Sequence, residues 1–341
     1  MNFISDLKTT LITPSKKRNY IFIGIGAFLL ILLIIIIVVA ASSSKSKKKK
    51  TPFESYIDTK KNLYVWSYPN ADNFIKFVVD HKYSKVFLYV GRIQWNLEEF
   101  LNGKLSNEGN MDAKELIKKL KEKKIETELC INLNDKPDDF ENIDKIPEVA
   151  NALSKLQKEL KFTALHFDIE PNDVNNYEAL LHMYEECRKK VKVSAIIKPK
   201  WLSLNMTTLE QYFNSSDYFK QFIDCETFAE AIIKVTDYSN IMASSNDYDI
   251  INQYLDIYKK IIKKYKSHKG TPILELEKVI KDYSTYQRYL ENNNTFFNYF
   301  SDVSKKFGGV TIHHYTTWYQ DLYCEFPEEK SEYYFGEPKI C

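Results

Sequence analysis

Cysteine is scarce in this chain and badly spaced for metal chemistry. Cys130, Cys187, Cys225, Cys324 and Cys341 are scattered over 341 residues and form no Cys-x-x-Cys pair, so a zinc site is not expected. The odd count leaves at least one thiol free or paired between molecules. Neither sign of charge is in excess: 48 basic and 46 acidic residues give a formal net charge of +2, which argues against the concentrated basic surface that a nucleic acid needs. The first strand-like run, Leu63–Tyr68, continues into Pro69-Asn70-Ala71-Asp72 and not into a glycine-rich turn, which argues against a doubly wound nucleotide-binding sheet. That run also lacks the His-x-His pair often carried on the first strand of a metal-dependent barrel hydrolase. No cofactor and no metal are therefore expected.

What the chain does contain begins with a long apolar run. Residues 20–41 read YIFIGIGAFLLILLIIIIVVAA without a charge, and about 20 apolar residues suffice for a single transmembrane helix. A secretory signal has an apolar region of only roughly 7–15 residues. Basic residues flank both sides, Lys16, Lys17 and Arg18 before it and Lys45 with Lys47–Lys50 after it, so the positive-inside rule gives no direction. Asn-x-Ser/Thr triplets at Asn205, Asn214 and Asn293 fit a glycoprotein whose main domain is lumenal or extracellular. The expected organisation is a short N-terminal tail (1–19), the membrane helix (20–41), a Ser/Lys-rich tether (42–60), a large domain (61–325) and a C-terminal tail (326–341).

Within the large domain, eight short apolar runs alternate with longer amphipathic stretches. The runs are Leu63–Tyr68, Lys85–Gly91, Ile125–Asn132, Ala164–Pro171, Lys192–Pro199, Tyr238–Ser245, Thr271–Lys278 and Gly308–Tyr315. They have strand length and are rich in β-branched or aromatic residues. Between them, Asp112–Lys123, Val174–Lys190 and Asp249–Lys264 place apolar residues at helical spacing. Eight strands with crossover helices predict an α/β fold, a closed (βα)8 TIM barrel, which takes roughly 250 residues. A doubly wound sheet is the alternative.

The active sites of such barrels lie at the C-terminal ends of the strands. Strand four ends His166-Phe167-Asp168-Ile169-Glu170-Pro171, and alternation puts His166, Asp168 and Glu170 on one face, inward if Leu165, Phe167 and Ile169 pack on the helices. Two carboxylates about 7 Å apart at their Cα atoms repel when both are ionised, so one is expected to hold a proton near neutrality. Strand seven repeats the pattern with Glu275 and Glu277. Strand eight offers His313, His314 and Tyr315, with Trp318 beyond; one histidine of the pair faces inward. Trp66 and Tyr68 on strand one, Arg92 after strand two and Asn132 at the end of strand three complete a rim suited to stacking and hydrogen bonding with sugars. The 24 tyrosines and 21 phenylalanines suit sugar-stacking faces and an aromatic core equally.

The fourth-strand segment HFDIEP resembles the chitinase-type (family 18) glycoside hydrolases, whose motif there is Asp-x-x-Asp-x-Asp-x-Glu. The resemblance implies that Glu170 protonates the leaving oxygen and that Asp168 orients the substrate's N-acetyl group, while Thr163 and His166 replace the two earlier aspartates. That family ends strand six with Met-x-Tyr-Asp; this chain keeps Met242 but has Ser244 and Ser245. A second group of sugar-cleaving barrels has Asn-Glu-Pro on strand four and a nucleophilic Glu on strand seven. Glu170-Pro171 and Glu277 are similar to that pattern, with Ile169 in place of Asn. The expected function is a membrane-anchored glycoside hydrolase acting by general acid/base catalysis on a carbohydrate. A non-catalytic carbohydrate-binding barrel and a metal-dependent barrel hydrolase are the alternatives.

Overall fold

A computed structural model describes residues 50–106, 109–133, 143–266, 268–276 and 292–315. The proposed membrane helix at 20–41 lies outside them, as do Glu277, Trp318, Cys324 and Cys341. Among the described residues no helix is long and apolar enough to cross a membrane. A compact unit begins at Thr51.

Eight parallel strands close into a barrel in sequential order, which makes the fold an α/β (βα)8 barrel. They are β1 (Lys61–Val65), β2 (Lys85–Arg92), β3 (Glu126–Asn132), β4 (Ala164–Phe167), β5 (Val193–Ile197), β6 (Tyr238–Met242), β7 (Lys269–Glu275) and β8 (Val310–His313). Closure is made by β1 pairing with β8, Asn62 opposite Thr311, and Asn62 Nδ2 donates to Thr311 Oγ1 at 3.2 Å across that seam. The eight apolar runs read from sequence are these strands, but several are shorter at their C-terminal ends. β4 stops at Phe167, so Asp168 and Glu170 stand just past the ladder, at the mouth.

The connecting helices follow their sequence signals. Asp112 caps α4 (Ala113–Glu122), its side chain accepting from the backbone of Lys114 and Glu115, the usual role of an acidic N-cap. Leu116, Ile117 and Leu120 form its buried face. The other helices over the strands are α2 (Ala71–Asp80), α3 (Ile93–Leu101), α5 (Ile146–Leu160), α6 (Tyr177–Arg188), α9 (Phe228–Val235), α10 (Tyr248–Lys264) and α11 (Asn293–Phe307). A helix preceding the barrel, α1 (Pro52–Ile57), packs Phe53 and Tyr56 on Phe297 and Phe300 of α11. Lys61 then closes the end of α1 by donating to the carbonyls of Tyr56, Ile57 and Thr59 at 3.0, 2.9 and 3.2 Å.

Between β5 and α9 the chain runs through short helical pieces, including α7 (Met206–Leu209) and α8 (Ser216–Phe219). They are fastened by Trp201, fully buried, whose indole donates to Tyr177 Oη at 3.0 Å and meets Phe228 edge-on.

Two apolar clusters result from the strand alternation. The outer one fills the space between strands and helices, with Leu63, Val65, Leu129, Leu165, Phe167 and Ile312 among its members. The inner one lies inside the barrel: Tyr64, Phe87, Cys130, Ile196 and Ile273, with Trp66 and Met242 against them. Of the five cysteines, Cys130, Cys187 and Cys225 are buried and unbridged.

Candidate functional site

Inside the barrel, below the mouth, a chain of polar groups crosses from β2 to β1. Lys85 pairs with Glu128; Glu128 accepts from Ser194; Ser194 Oγ lies 2.7 Å from His166 Nδ1; and His166 Nε2 meets the Tyr64 hydroxyl. Burial and the Lys85 charge push His166 down to about 3, so its ring is neutral at any physiological pH. Burial alone would lower Lys85, but the charge and hydrogen bond of Glu128 outweigh it and raise it. His166 has no exposed surface. It faces inward, as the alternation requires, but it lies beneath the mouth and supports the strands there, with no surface to offer a substrate.

The mouth itself is assembled from strand ends. Asp168 and Glu170 follow β4, Lys198 follows β5, Met242 ends β6 and Ser244 follows it, Glu275 ends β7 and His313 ends β8. Asp168 is pushed up to about 7, first by burial and then by repulsion from Glu170, with Glu275 adding to it; Lys198 acts in the opposite sense, as His313 does only when its ring is protonated. Asp168 therefore keeps a share of its protons up to about neutrality, where an ordinary aspartate is fully ionised. Glu170 reaches further out: its side chain is 34% exposed, and its Oε2 lies 3.2 Å from Lys198 Nζ.

Of the two histidines at the end of β8, His313 faces inward. Its Nε2 accepts from Trp66 Nε1 at 2.7 Å and its Nδ1 lies 2.6 Å from Glu275 Oε2. An indole N–H only donates, so Nε2 must carry a lone pair and the ring's single proton sits on Nδ1. The bond to Trp66 thus selects a neutral imidazole. His314, the other histidine of the pair and a candidate sugar-binding residue from sequence, is held well below its ordinary value by burial.

The remaining residues picked out from sequence divide. Trp66 stands at the mouth, its ring 5.0 Å from that of Tyr89. Asn132 ends β3 and accepts from its neighbour Leu133 N at 2.7 Å. The Arg92 guanidinium lies over the Trp95 ring at 4.7 Å, and Trp95 is 66% exposed. Tyr68 and Tyr315 do not line the mouth. Tyr68 is fully buried beside Phe74, with Gly109 so close that an added Cβ would fall 2.2 Å from the Tyr68 ring. Tyr315 packs edge-on against Phe74 and Phe77 of α2, on the helix side of the strands. Glu277 and Trp318 lie outside the described residues.

Sequence reasoning missed Lys198, Tyr89 and Trp95. Lys198 shares the parity of Ser194 and Ile196 on β5, so the alternation applied to strand four would have found it. One further polar group lies at this end: Ser244 Oγ is buried and makes no hydrogen bond among the described residues, leaving capacity that a ligand can satisfy. Among the described residues no group of three or more His, Cys, Asp or Glu is arranged to hold a metal ion.

The architecture and site together define a (βα)8 barrel with paired acids at the end of its fourth strand. Solved structures similar to it include a GH18 chitinase from Pseudoalteromonas aurantia, at 15% identity and TM-score 0.49 over 75% of this chain and 94% of that one. A chitinase from Bacteroides thetaiotaomicron aligns at 14% identity and TM-score 0.47, over 75% and 89% of the respective chains. The spore cortex-lytic enzyme SleL of Bacillus megaterium QM B1551 aligns at 13% identity and TM-score 0.49, over 75% and 70%. No protein-family model and no curated protein sequence matches the chain.

Proposed function

We propose that the protein is a membrane-tethered glycoside hydrolase-like barrel that acts on glycosidic bonds in a glycan, with Asp168 and Glu170 as its acid–base pair. The observation that carries this reading is Asp168, a mouth carboxyl pushed up to about 7 by burial and by Glu170. Cleaving a glycosidic bond needs one carboxyl that keeps a proton for the leaving oxygen and a second group that assists on the other side of the reacting carbon. Glu170, the more exposed of the two, gives its proton to the leaving oxygen and is reprotonated from Asp168, which keeps a proton up to about neutrality and, once it has passed it on, orients the reacting group as a carboxylate. Trp66 and Tyr89 supply an aromatic wall beside them, and Ser244 a hydroxyl for the bound sugar.

The test is a Glu170→Gln variant of the full chain in detergent, assayed on a glycan panel. The rate should fall roughly a hundred- to ten-thousand-fold; cleavage as fast as the parent would defeat the assignment. The tether is tested separately. Anchored through residues 20–41, the protein should stay with membranes during alkaline carbonate extraction, and its release into the supernatant would remove the membrane part of the reading.

A second reading, a barrel that binds carbohydrate without cleaving it, is favoured by the cation seated on Glu170, since a carboxylate with its own counter-ion is a poor proton donor. Wild-type protein that binds oligosaccharides tightly and turns none over would select it.

A further inference from the structure

A parallel barrel returns every helix to the end where the strands begin, so the turns that lead into β1–β8 gather at the face opposite the mouth. Those eight turns are residues 58–60, 81–84, 123–125, 161–163, 189–192, 236–237, 265–268 and 308–309. They hold nine lysines and two acids, Asp58 and Asp237, in a chain whose formal net charge is only +2. Both acids are already taken, Asp58 by Lys82 at 2.5 Å and Asp237 by Arg188 at 3.1 Å. Lys60, Lys123, Lys124, Lys161, Lys192 and Lys266 are exposed and meet no carboxylate among the described residues. Of these, Lys192 reaches the Tyr238 hydroxyl at 3.5 Å.

Cations are common at helix C-termini, where the helix dipole leaves its negative end. That accounts for lysines in the last helical turns, such as Lys263 and Lys305. It does not account for the backbone of three of the connecting turns. Lys82, Lys124 and Lys161 sit at φ 55°, 63° and 62°, a left-handed conformation that favours glycine. The corresponding turn after α11 uses Gly308, at φ 72°. A lysine in such a place keeps a charge on this face at a backbone cost. Charge is thus separated along the barrel axis, with ammonium groups at one end and Asp168, Glu170 and Glu275 at the other.

Resting on the membrane-tethered part of the reading above, we infer that this lysine-rich face docks on the headgroups of anionic phospholipids. Two observations choose a bilayer over other anionic partners. Nine residues lie between the apolar run 20–41 and Thr51, and five of them are lysines with no acid among them. So short a link gives the barrel a high effective concentration of any bilayer that the run occupies, and its own charge draws on the same lipids. The six exposed lysines, moreover, come from five different turns around the ring. That spread suits a broad field of headgroups better than one anionic ligand or strand. Each ammonium within a Debye length of the headgroups adds to the attraction, and salt weakens it. Docking by this face leaves the mouth directed away from the lipid and open to a glycan.

The experiment reads individual lysines. The full chain is reconstituted into phosphatidylcholine vesicles with or without phosphatidylserine and treated with a membrane-impermeant acylating reagent, and modification is measured residue by residue by peptide mass spectrometry. Lys124, Lys161, Lys192 and Lys266 should react roughly fivefold more slowly in the phosphatidylserine vesicles at low salt, with the protection lost at high salt. Lys114 and Lys145, at the opposite ends of their connections where α4 and α5 begin, should react alike in both. A Lys124→Gln/Lys161→Gln/Lys192→Gln protein with the parent's melting temperature should lose the protection at Lys266.

Equal reactivity in the two kinds of vesicle, in a protein that floats with both, overturns the docking face and leaves the tether standing. Protein that floats only with phosphatidylserine vesicles and washes off at high salt supports the face and defeats the tether. Protection already present in detergent, and lost on removal of residues 326–341 with their four glutamates and two lysines, assigns the face to the chain's own tail and overturns the inference. Protection by a sulfated polysaccharide that phosphatidylserine does not reproduce overturns it as well.

Discussion

The lower half of the barrel interior and its mouth are built from the same residue types and differ in how their charges are settled. In the lower half, Lys85, Glu128, Ser194, His166 and Tyr64 form a closed relay in which each group has its partner. At the mouth, Asp168, Glu170 and Glu275 crowd together, and Asp168 bears the cost in a raised proton affinity. Buried polar groups that satisfy one another specify a structure, whereas groups that remain in conflict are stored capacity for chemistry. The boundary between the two regimes falls between His166 and Asp168, two residues apart on one strand face.

The sharpest way to break this comparison is to open the lower relay. Glu128→Ala leaves Lys85 without its enclosed partner and Ser194 without its acceptor, and should cost about 3–5 kcal/mol in chemical denaturation, whereas the apolar pair Lys85→Met/Glu128→Leu should cost far less. If the single change costs no more than an exposed substitution, the lower relay is not the settled structure described above.

At the mouth the sign reverses. The folded state holds the Asp168 proton up to about pH 7, against an ordinary value of 3.8. Its contribution to stability is therefore complete in acid and is lost as pH rises through 7. Asp168→Asn removes that titration, so the variant should melt a few degrees above the parent at pH 8, with the gap closing toward pH 4; a pH-independent difference would refute the conflict at the mouth.

The smallest effect is expected at the bridge between the halves of the seam. Trp66→Phe keeps the aromatic wall but removes the donor to His313, and should cost about 1 kcal/mol. It also frees Nε2 to take a proton, so the activity profile should gain an additional titration limb; an unchanged profile would show that Trp66 does not fix the His313 tautomer.

The strands and their order were legible because each strand is a short apolar run with a fixed alternation, and a barrel repeats that signal eight times. The same alternation placed His166, Asp168, Glu170 and Glu275 on the inner face. It could not give depth: nothing in HFDIEP says that the ladder ends at Phe167, leaving His166 sealed and Asp168 at the opening. It also left the His313–His314 choice open, since both parities fit until the pairing of Glu275 with His313 is known. At the end of β2 the alternation itself fails. The register shifts between Tyr89 and Arg92, around Gly91 at φ 134°, where a Cβ would lie 2.5 Å from Asn96 Oδ1. Arg92 is consequently turned toward Trp95. Tyr68 and Tyr315 were misplaced for a related reason: both lie beyond the strand ladder, where the period of two no longer governs direction.

The seam between β1 and β8 has a consequence in time. The hydrogen bond from Asn62 to Thr311 joins residues 249 positions apart. At roughly 5–20 residues added per second, the first strand waits roughly 12–50 s on the ribosome for its last neighbour. Throughout that interval one side of β1 is an unpaired edge, open to pairing with any other nascent strand.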